Sequence, residues 1–342
     1  MRTSNSLLIA SLYLLSTFLN SHASPHITQL KKPRKFIIDT DAGGDDAIAI
    51  LLALNYEAMH KDEIEIIAIT CTHGNTKEKN VEKNVLKILT VAKRADIPVY
   101  GGAERALINH YKGIPFFGND GLGDFEFTEE IIAKVDKSSL AAVALINLIK
   151  LHPGEVTIIA LGPVTNLALA TRLESAFIEN VGELIIMGSS VAGIGNEMPN
   201  VEFNFAIDPE SNFIVMNSTK KPCILFPWDT ALNSRIDKKW RTEVFGQLNS
   251  SSVKFLNKVE AIYMPKAKSW SSVDTVTVAI AIWPNLIKKS IITNVTPVFD
   301  GAAKGSVLVD YRNSTGKPKN AKIIQSFDIE LFKEKLLLYF SH

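Results

Sequence analysis

Residues 35–54, KFIIDTDAGGDDAIAILLAL, constrain the fold of this chain more than any other stretch. The stretch opens with the apolar run at residues 36–38, which is typical of a strand buried in a parallel sheet. An acidic, glycine-containing loop follows, and residues 47–54 then form a strong helix-forming run. The loop contains Asp39, Asp41, Gly43, Gly44, Asp45 and Asp46. This order predicts an α/β unit whose carboxylates lie at the carboxyl end of the first strand, where open α/β sheets bind their ligands.

Four carboxylates so close together repel one another and raise one another's pKa unless a cation neutralises them. Hard divalent ions such as Ca²⁺ and Mg²⁺ take oxygen ligands, so they suit this loop. Alternatively, Asp45 and Asp46 only complement the positive end of the helix dipole. That interpretation explains one or two of the aspartates but not four. The sequence therefore predicts a divalent-cation site beside the first strand.

Downstream of this unit, apolar strands alternate with helices, and loops rich in polar residues or glycine follow the strands. The predicted strands lie at residues 64–70, 98–100, 156–161, 183–187 and 222–227, and the predicted helices at residues 76–95 and 138–151. Alternation of this kind predicts a single α/β domain. Its sheet is expected to be mostly parallel, open and Rossmann-like, with flanking helices and with the active site at the carboxyl ends of the strands.

The first 23 residues match the pattern of a secretory signal peptide. Arg2 precedes an apolar run at residues 7–19, and small residues then lead to a cleavage site after Ala23. The run is too short to span a membrane comfortably, and no later stretch is long and apolar enough to do so. We therefore expect a signal peptide over residues 1–23, one domain over residues 34–342, and secretion to the extracellular space.

Composition and charge exclude several classes of protein. Hydrophobic residues make up 46% of the chain and the net charge is +1, which indicates neither disorder nor a polyanionic partner. Two cysteines, Cys71 and Cys223, exclude a disulfide framework and leave a single bridge open. Four N-glycosylation sequons are compatible with a secretory route, at Asn217, Asn249, Asn294 and Asn313.

Five stretches of the chain, taken in order, resemble the inosine–uridine-preferring nucleoside hydrolases. The most specific is DTDAGGDDAIAI at residues 39–50, which is similar to the family signature DxDPGxDDxxA. The others are Gly74-Asn75, LGPVTN at residues 161–166, GNEMP at residues 195–199 with its continuation to residue 210, and Asp274. The resemblance extends from residue 35 to about residue 339, nearly all of the predicted domain.

This resemblance implies a calcium-dependent enzyme that cleaves the N-glycosidic bond of ribonucleosides to free base and ribose. It implies that Ca²⁺ is held by Asp41, Asp46, the backbone carbonyl of Thr165, and Asp274. The ion is expected to bind the attacking water, lower its pKa and orient the ribose diol, and Asp41 is expected to act as general base. The residues expected to bind the ribose hydroxyls are Asp45, Asn75, Asn196, Glu202 and Asn204. A homodimer or homotetramer is also implied.

The chain departs from the family pattern in three places. Ala42 replaces the usual proline, which removes no ligand. Val273 and Phe117 stand where many members have histidine, and neither can donate a proton to the leaving base. One hypothesis is that aromatic stacking activates the base, which favours purines somewhat; the candidates are Phe116, Phe117, Tyr263 and Trp270. His73 and His110 remain alternative proton donors.

Two further functions are compatible with parts of the sequence. Asp39-Thr-Asp41 after an apolar strand is similar to the DxD loop of haloacid-dehalogenase-like phosphatases, but Ala42 and Gly43 replace the expected Gly-Thr. A secreted protein that binds nucleosides or ribose without efficient catalysis would explain Val273 and Phe117. The intact set of aspartates argues against that second alternative.

Overall fold

In a computed structural model, which describes residues 32–108 and 115–342, the first apolar run forms the centre of the main sheet. It lies in strand β1 (Arg34–Thr40), whose last five residues are buried. On one side β1 pairs in parallel with β2 (Ile64–Cys71), and on the other with β4 (Val156–Ala160). The predicted signal peptide and His110 lie outside the described residues.

The other elements follow the predicted alternation of strand and helix. The remaining strands are β3 (Val99–Tyr100), β5 (Glu183–Met187), β6 (Cys223–Phe226), β7 (Ile287–Thr293), β8 (Val295–Pro297), β9 (Val307–Val309) and β10 (Ala321–Phe327). The helices are α1 (Gly44–Met59), α2 (Glu78–Val91), α3 (Ala141–Leu151), α4 (Thr165–Leu173), α5 (Phe177–Asn180), α6 (Phe203–Ile207), α7 (Pro209–Ser218), α8 (Trp228–Leu232), α9 (Ser251–Val259), α10 (Val273–Ile282) and α11 (Ile329–Phe340). Within the described residues, no helix combines the length and apolar character needed to cross a membrane.

The main sheet has the order β3-β2-β1-β4-β5-β6-β10-β7 over the part of the chain that the structure describes. Its strands are parallel except β7, which is antiparallel to β10. The chain runs outward from β1 to β2 and β3, and then returns to β4 on the other side of β1. The carboxyl ends of β1 and β4 therefore meet at the point where the strand order reverses. The predicted open, mostly parallel sheet is confirmed.

Two hydrophobic layers cover the sheet, because successive side chains of β1 point to opposite faces. Ile38 belongs to a core shared with α1, α10 and α11. Ile37 belongs to a second core shared with α3, α4 and α7. Helix α1 is buried over most of its length, which explains its nearly continuous apolar sequence. Residues from Pro33 to His342 form one compact unit.

Two features of the fold lay beyond the sequence predictions. Strands β7 and β10, near the end of the chain, extend the sheet with an antiparallel edge. The two cysteines are both buried and free, in strands β2 and β6. These strands are four strand spacings apart, about 19 Å, whereas bridged cysteines have Cα atoms within about 7 Å. The fold therefore excludes the bridge that the sequence left open.

The loop between β1 and α1 has a backbone conformation that proline cannot adopt. Ala42 is fully buried and has φ of 32°. Its N–H donates a hydrogen bond to the Thr40 hydroxyl oxygen at 3.0 Å. Proline fixes φ near −65° and has no N–H. In this chain the family's usual proline would therefore disturb the acidic loop.

We predict that Ala42→Pro lowers the free energy of unfolding by about 1–3 kcal/mol, the range typical of strained backbone positions. Urea unfolding followed by circular dichroism measures the change. Ala42→Gly is the matched control, since glycine tolerates positive φ and keeps the N–H, and its loss should be smaller. A proline variant as stable as the unmodified protein would contradict this account of the loop.

Candidate active site

A cavity of about 650 Å³ opens at the carboxyl ends of the central strands. Asp41, which directly follows β1, lies in its wall with Leu161 after β4 and Met187 at the end of β5. Asp274, in the first turn of α10, closes the same region. The site therefore lies at the edge of the sheet that the sequence predicted.

The Asp41 carboxylate is held by two neighbouring loops. Its Oδ2 accepts a hydrogen bond from the backbone N–H of Asn75 at 2.7 Å. A Cβ atom added to Gly74 would lie 2.0 Å from Asp41 Oδ2, and one added to Gly162 would lie 2.9 Å from Asp41 Cγ. Glycine is required at both positions because the loops after β2 and β4 pack directly against this carboxylate.

Asp46 lies behind the cavity wall and is fully buried. The Thr40 hydroxyl donates to its Oδ1 at 2.5 Å, and the backbone N–H of Gly43 donates to its Oδ2 at 2.8 Å. The side-chain amide of Asn75 also donates to Oδ2, at 3.2 Å. Asp46 therefore caps helix α1, as the helix-dipole interpretation predicts, and belongs to the carboxylate cluster as well.

One carboxylate oxygen from each of Asp45, Asp46 and Asp274 lies within 4.8 Å of the other two. Burial raises the pKa of Asp41 and of Asp274 well above the ordinary value, and the charges of the neighbouring aspartates raise both further. Asp274 Oδ1 is buried without a hydrogen-bond partner among the described residues. A divalent cation fits this set, because it neutralises the carboxylates and gives that oxygen a partner.

Among the predicted cation ligands, Thr165 is not brought to the cavity. It is the first residue of α4, so its carbonyl points along the helix axis towards the residue four positions on. Its hydroxyl donates to Asp208 Oδ2 at 2.7 Å. Leu161 lines the cavity instead, and its carbonyl accepts a hydrogen bond from the Asn204 side chain at 2.7 Å. Leu161 therefore replaces Thr165 as the candidate carbonyl ligand.

The five residues predicted to bind ribose all line the cavity: Asp45, Asn75, Asn196, Glu202 and Asn204. Glu202 is also the N-cap of α6, and its carboxylate accepts hydrogen bonds from the backbone N–H groups of Ser189, Asn204 and Phe205. Burial raises the pKa of Glu202 to about 7, although these bonds lower it. Glu202 is thus both a structural cap and a candidate sugar ligand.

Three aromatic side chains form a wall of the cavity. Phe117 lies edge-on to Phe116 and to Tyr263, with ring centroids 4.9 and 5.2 Å apart, and Phe116 lies 5.3 Å from Tyr263. The apolar side chain of Val273 also lines the cavity. Phe117 and Val273, which stand where many family members have histidine, therefore both face the candidate site.

Trp270 does not belong to the aromatic wall, so the hypothesis that it stacks on the base is wrong. It is fully buried, and its indole N–H donates to Glu260 Oε1 at 2.8 Å. Backbone hydrogen bonds of 2.9 and 3.0 Å join it to Ile236 in an antiparallel bridge, and both side chains point into the core. His73 lies outside the cavity wall, near the carbonyl of Ala103.

Several residues of the cavity escaped the sequence analysis. Trp228 follows β6, and its place at the carboxyl end of a predicted strand was a signal that could have found it. Arg235, Lys266, Lys268 and Glu197 also line the cavity. They lie in loops or, for Lys266, in a single turn of 3-10 helix, where no periodicity indicates which way a side chain points.

Comparisons with known proteins agree with this geometry. Residues 36–334 match the model of the inosine-uridine preferring nucleoside hydrolase family. A probable uridine nucleosidase 2 of Arabidopsis thaliana is 42% identical over 53% of this chain and 55% of its own length, so the match spans about half of that relative. A pyrimidine-specific ribonucleoside hydrolase of Salmonella enteritidis is 31% identical over 89% of this chain and 98% of its own. A solved inosine-guanosine nucleoside hydrolase superposes with a TM-score of 0.83 and 30% identity, over 90% of this chain and 99% of that one.

The carboxylate cluster predicts a pH-dependent stability that a cation reverses. Without a cation, the pKa of Asp45 is raised from 3.8 to about 8, because burial and Asp46 disfavour its charge. The folded state then binds more protons than the unfolded state between these two pH values. We therefore expect the Tm in chelator to fall as the pH rises from 5 to 8.

Saturating Ca²⁺ should remove this loss, because the ion binds the deprotonated carboxylates. At about 100 times its Kd, a ligand contributes about 2.7 kcal/mol, which over the roughly 310 residues from Pro33 to His342 is about 4 °C in Tm. Scanning calorimetry at pH 5, 6, 7 and 8 measures both effects. Asp274→Asn should shrink the difference between calcium and chelator, whereas the exposed-site control Asp62→Asn should not. Equal Tm values with and without Ca²⁺ at pH 8 would exclude a cation site of this kind.

Proposed function

The chain belongs to the inosine-uridine preferring nucleoside hydrolase family, and we propose that it is a calcium-dependent hydrolase that cleaves ribonucleosides to free base and ribose. One observation carries the proposal. A buried carboxylate cluster and five polar side chains suited to a sugar face the same cavity. The phosphatase alternative loses its support, because the DxD resemblance covers only part of a motif that the family accounts for in full.

Asp41 is proposed as the general base. A general base works best when its pKa lies near the operating pH, and burial moves the pKa of Asp41 in that direction. The Asn75 N–H and the close approach of Gly74 and Gly162 fix the carboxylate in one orientation. When bound, the cation lowers the pKa of the attacking water and orients the ribose diol.

Calcium is the proposed ion because every candidate ligand is an oxygen. The carboxylates of Asp41, Asp45, Asp46 and Asp274 lie around the site with the carbonyl of Leu161, and no cysteine or histidine belongs to the described cluster. Ca²⁺ accepts six to eight such ligands in irregular geometry, whereas Mg²⁺ needs a near-ideal octahedron. A deep, crowded set of carboxylates favours the larger ion.

The ribose is proposed to bind between the carboxylates and the side chains of Asn196, Glu202 and Asn204. The amide of Asn204 is itself held by the Leu161 carbonyl, and the carbonyl oxygen of the Asn196 side chain accepts the N–H of Phe203 at 2.8 Å. Ligands held in this way lose little freedom when a sugar binds. They can therefore direct binding energy to the reacting centre.

The base is proposed to lie against the aromatic wall of Phe116, Phe117 and Tyr263. Flat rings of either size can pack there. The expected preference for purines stays a prediction, and it has less support now that Trp270 lies in the core. The names of the relatives point both ways, to uridine and pyrimidines in some and to inosine and guanosine in another.

Secretion and assembly are proposed on the sequence features of the chain. The signal-peptide pattern at residues 1–23 supports secretion, and three sequon asparagines are exposed: Asn217, Asn249 and Asn313. The fourth, Asn294, is buried, and its amide donates to the Pro318 carbonyl at 2.7 Å. A homodimer or homotetramer remains an expectation from the family.

Ribose release by the purified protein tests the hydrolase proposal. We expect release from inosine, adenosine, guanosine, uridine or cytidine in calcium and its loss in chelator. Asp41→Asn, which keeps the shape of the side chain, should lower kcat by about 10²–10⁴-fold, the usual contribution of a general base. Asp62→Asn is the matched control and should turn over normally. Tight nucleoside binding without turnover would instead support the binding-protein alternative.

Expression of the full chain in a eukaryotic secretory host tests the localisation. We expect the protein in the medium, with a mature amino terminus at Ser24 and glycan occupancy at Asn217, Asn249 and Asn313. Asn294 should stay unmodified, because its side-chain nitrogen is enclosed and already donates a hydrogen bond. Mass spectrometry of peptides before and after deglycosylation measures occupancy. Retention of the uncleaved chain inside the cell would contradict the signal-peptide interpretation.

A further inference from the structure

The charges of the cavity are unevenly distributed. The carboxylates lie around Asp41 and Asp274, whereas three cationic side chains, Arg235, Lys266 and Lys268, line the same cavity. We call these three the cationic wall. All three are exposed, and within the part of the chain that the structure describes none of them forms a salt bridge or donates a side-chain hydrogen bond. Their charges are therefore available to a ligand of the cavity.

The backbone holds Arg235 close to the leaving-group side of the site. Residues 236 and 270 form an antiparallel bridge, and their side chains are buried. Side chains alternate across such a bridge, so the neighbours Arg235 and Ser271 point to the opposite face, and both line the cavity. Ser271 lies two residues before Val273 and three before Asp274. The bridge therefore places Arg235 beside the segment where the family's histidine is missing.

Cleavage of an N-ribosidic bond leaves an electron pair on the base nitrogen, and this charge needs a proton or a cation. Val273 and Phe117 can supply neither. Tyr263 has a hydroxyl, but that hydroxyl donates to Glu260 Oε1 at 2.6 Å inside the protein. On this side of the cavity, the cationic wall is the remaining source of positive charge among the described residues.

We propose that the cationic wall, and Arg235 above all, stabilises the base as it leaves as an anion. The chain would then select ribonucleosides whose base is a good anionic leaving group. This inference rests on the proposed hydrolase function. The stabilisation grows as charge develops on the base, so it acts on the transition state rather than on the bound substrate.

The step balances without any further reactant. The water oxygen bonds to C1′ of the ribose, and Asp41 takes the proton that the water loses. The bond between C1′ and the base nitrogen breaks, and its electron pair leaves with the base. The anionic base departs paired with the Arg235 guanidinium and takes a proton from solvent, while Asp41 returns its proton to solvent. The net reaction is nucleoside plus water to ribose plus base.

The test compares a poor and a good leaving group on the calcium-loaded enzyme. Uridine releases uracil, a weak acid, whereas p-nitrophenyl β-ribofuranoside releases p-nitrophenolate, which needs little stabilisation. Arg235→Gln should lower kcat for uridine about tenfold more than it lowers kcat for the p-nitrophenyl riboside. The factor lies below the 10²–10³-fold typical of an enclosed transition-state donor, because the wall is exposed. KM for uridine should change little.

Two further variants sharpen the comparison. Arg235→Lys keeps the charge and should recover most of the uridine activity. Lys239→Gln removes an exposed charge four residues along the chain, in a helical turn outside the cavity, and it should turn over both substrates like the unmodified enzyme. Calorimetry checks that every variant is folded. In the unmodified enzyme, added salt should slow uridine cleavage more than p-nitrophenyl riboside cleavage, because it screens an exposed charge.

Different outcomes separate the two proposals. Equal losses on both substrates in Arg235→Gln would overturn the inference and give Arg235 a general structural role. No loss on either substrate would also overturn it. If the unmodified enzyme cleaves the p-nitrophenyl riboside, the ribose and cation sites work whatever Arg235 does. If it cleaves neither substrate and releases ribose from none of the other nucleosides of the panel, the hydrolase proposal itself fails, and the inference fails with it.

Discussion

The structure depends on a cluster of four aspartates, three of them buried, at one end of a hydrophobic sheet. Removing carboxylates from water is costly, and neighbouring carboxylates add repulsion to that cost. The protein offsets part of it with directed donors, since the Thr40 hydroxyl and the Gly43 N–H bind Asp46 and the Asn75 N–H binds Asp41. A divalent cation would offset the rest of the cost, because one buried oxygen of Asp274 has no hydrogen-bond partner within the described part of the chain.

The topology explains why one end of the cavity is rigid and the other variable. Asp41, Gly74 and Gly162 follow β1, β2 and β4, which are neighbours in the middle of the sheet and are packed on both faces. Buried strands therefore hold the residues on the ribose side of the cavity in fixed positions. The aromatic wall comes from loops around Phe117 and Tyr263 that no strand constrains. Within one fold, the residues that bind the ribose can stay the same while the loop residues that contact the base change.

How much the sequence could predict depends on how far apart along the chain the contacting residues lie. Asp41, Asp45 and Asp46 are set by a strand, a loop and a helix adjacent in the chain, so their pattern was sufficient. The sequence did not show that Thr165 lies away from the cavity, because a motif gives the residues of a turn but not the direction of each carbonyl, and that direction depends on where α4 begins. The stacking hypothesis for Trp270 was wrong for another reason. The bridge to residue 236, which turns Trp270 inward, spans more than thirty residues and leaves no periodic signal.

On the leaving-group side of the cavity, the buried ion pair Arg241–Glu260 holds both Trp270 and Tyr263. Both residues are 2% exposed, and the guanidinium neutralises a carboxylate that accepts hydrogen bonds from Trp270 and Tyr263 together. The same carboxylate thus keeps one aromatic ring in the core and engages the hydroxyl proton of another. Replacing either partner would leave a buried charge uncompensated, so the arrangement is hard to change by single substitutions. Among the described residues that line the cavity there is no histidine, and the Tyr263 hydroxyl proton is engaged by Glu260. Of these residues, Arg235 and the two lysines are therefore the ones that bring fixed positive charge to a departing anion.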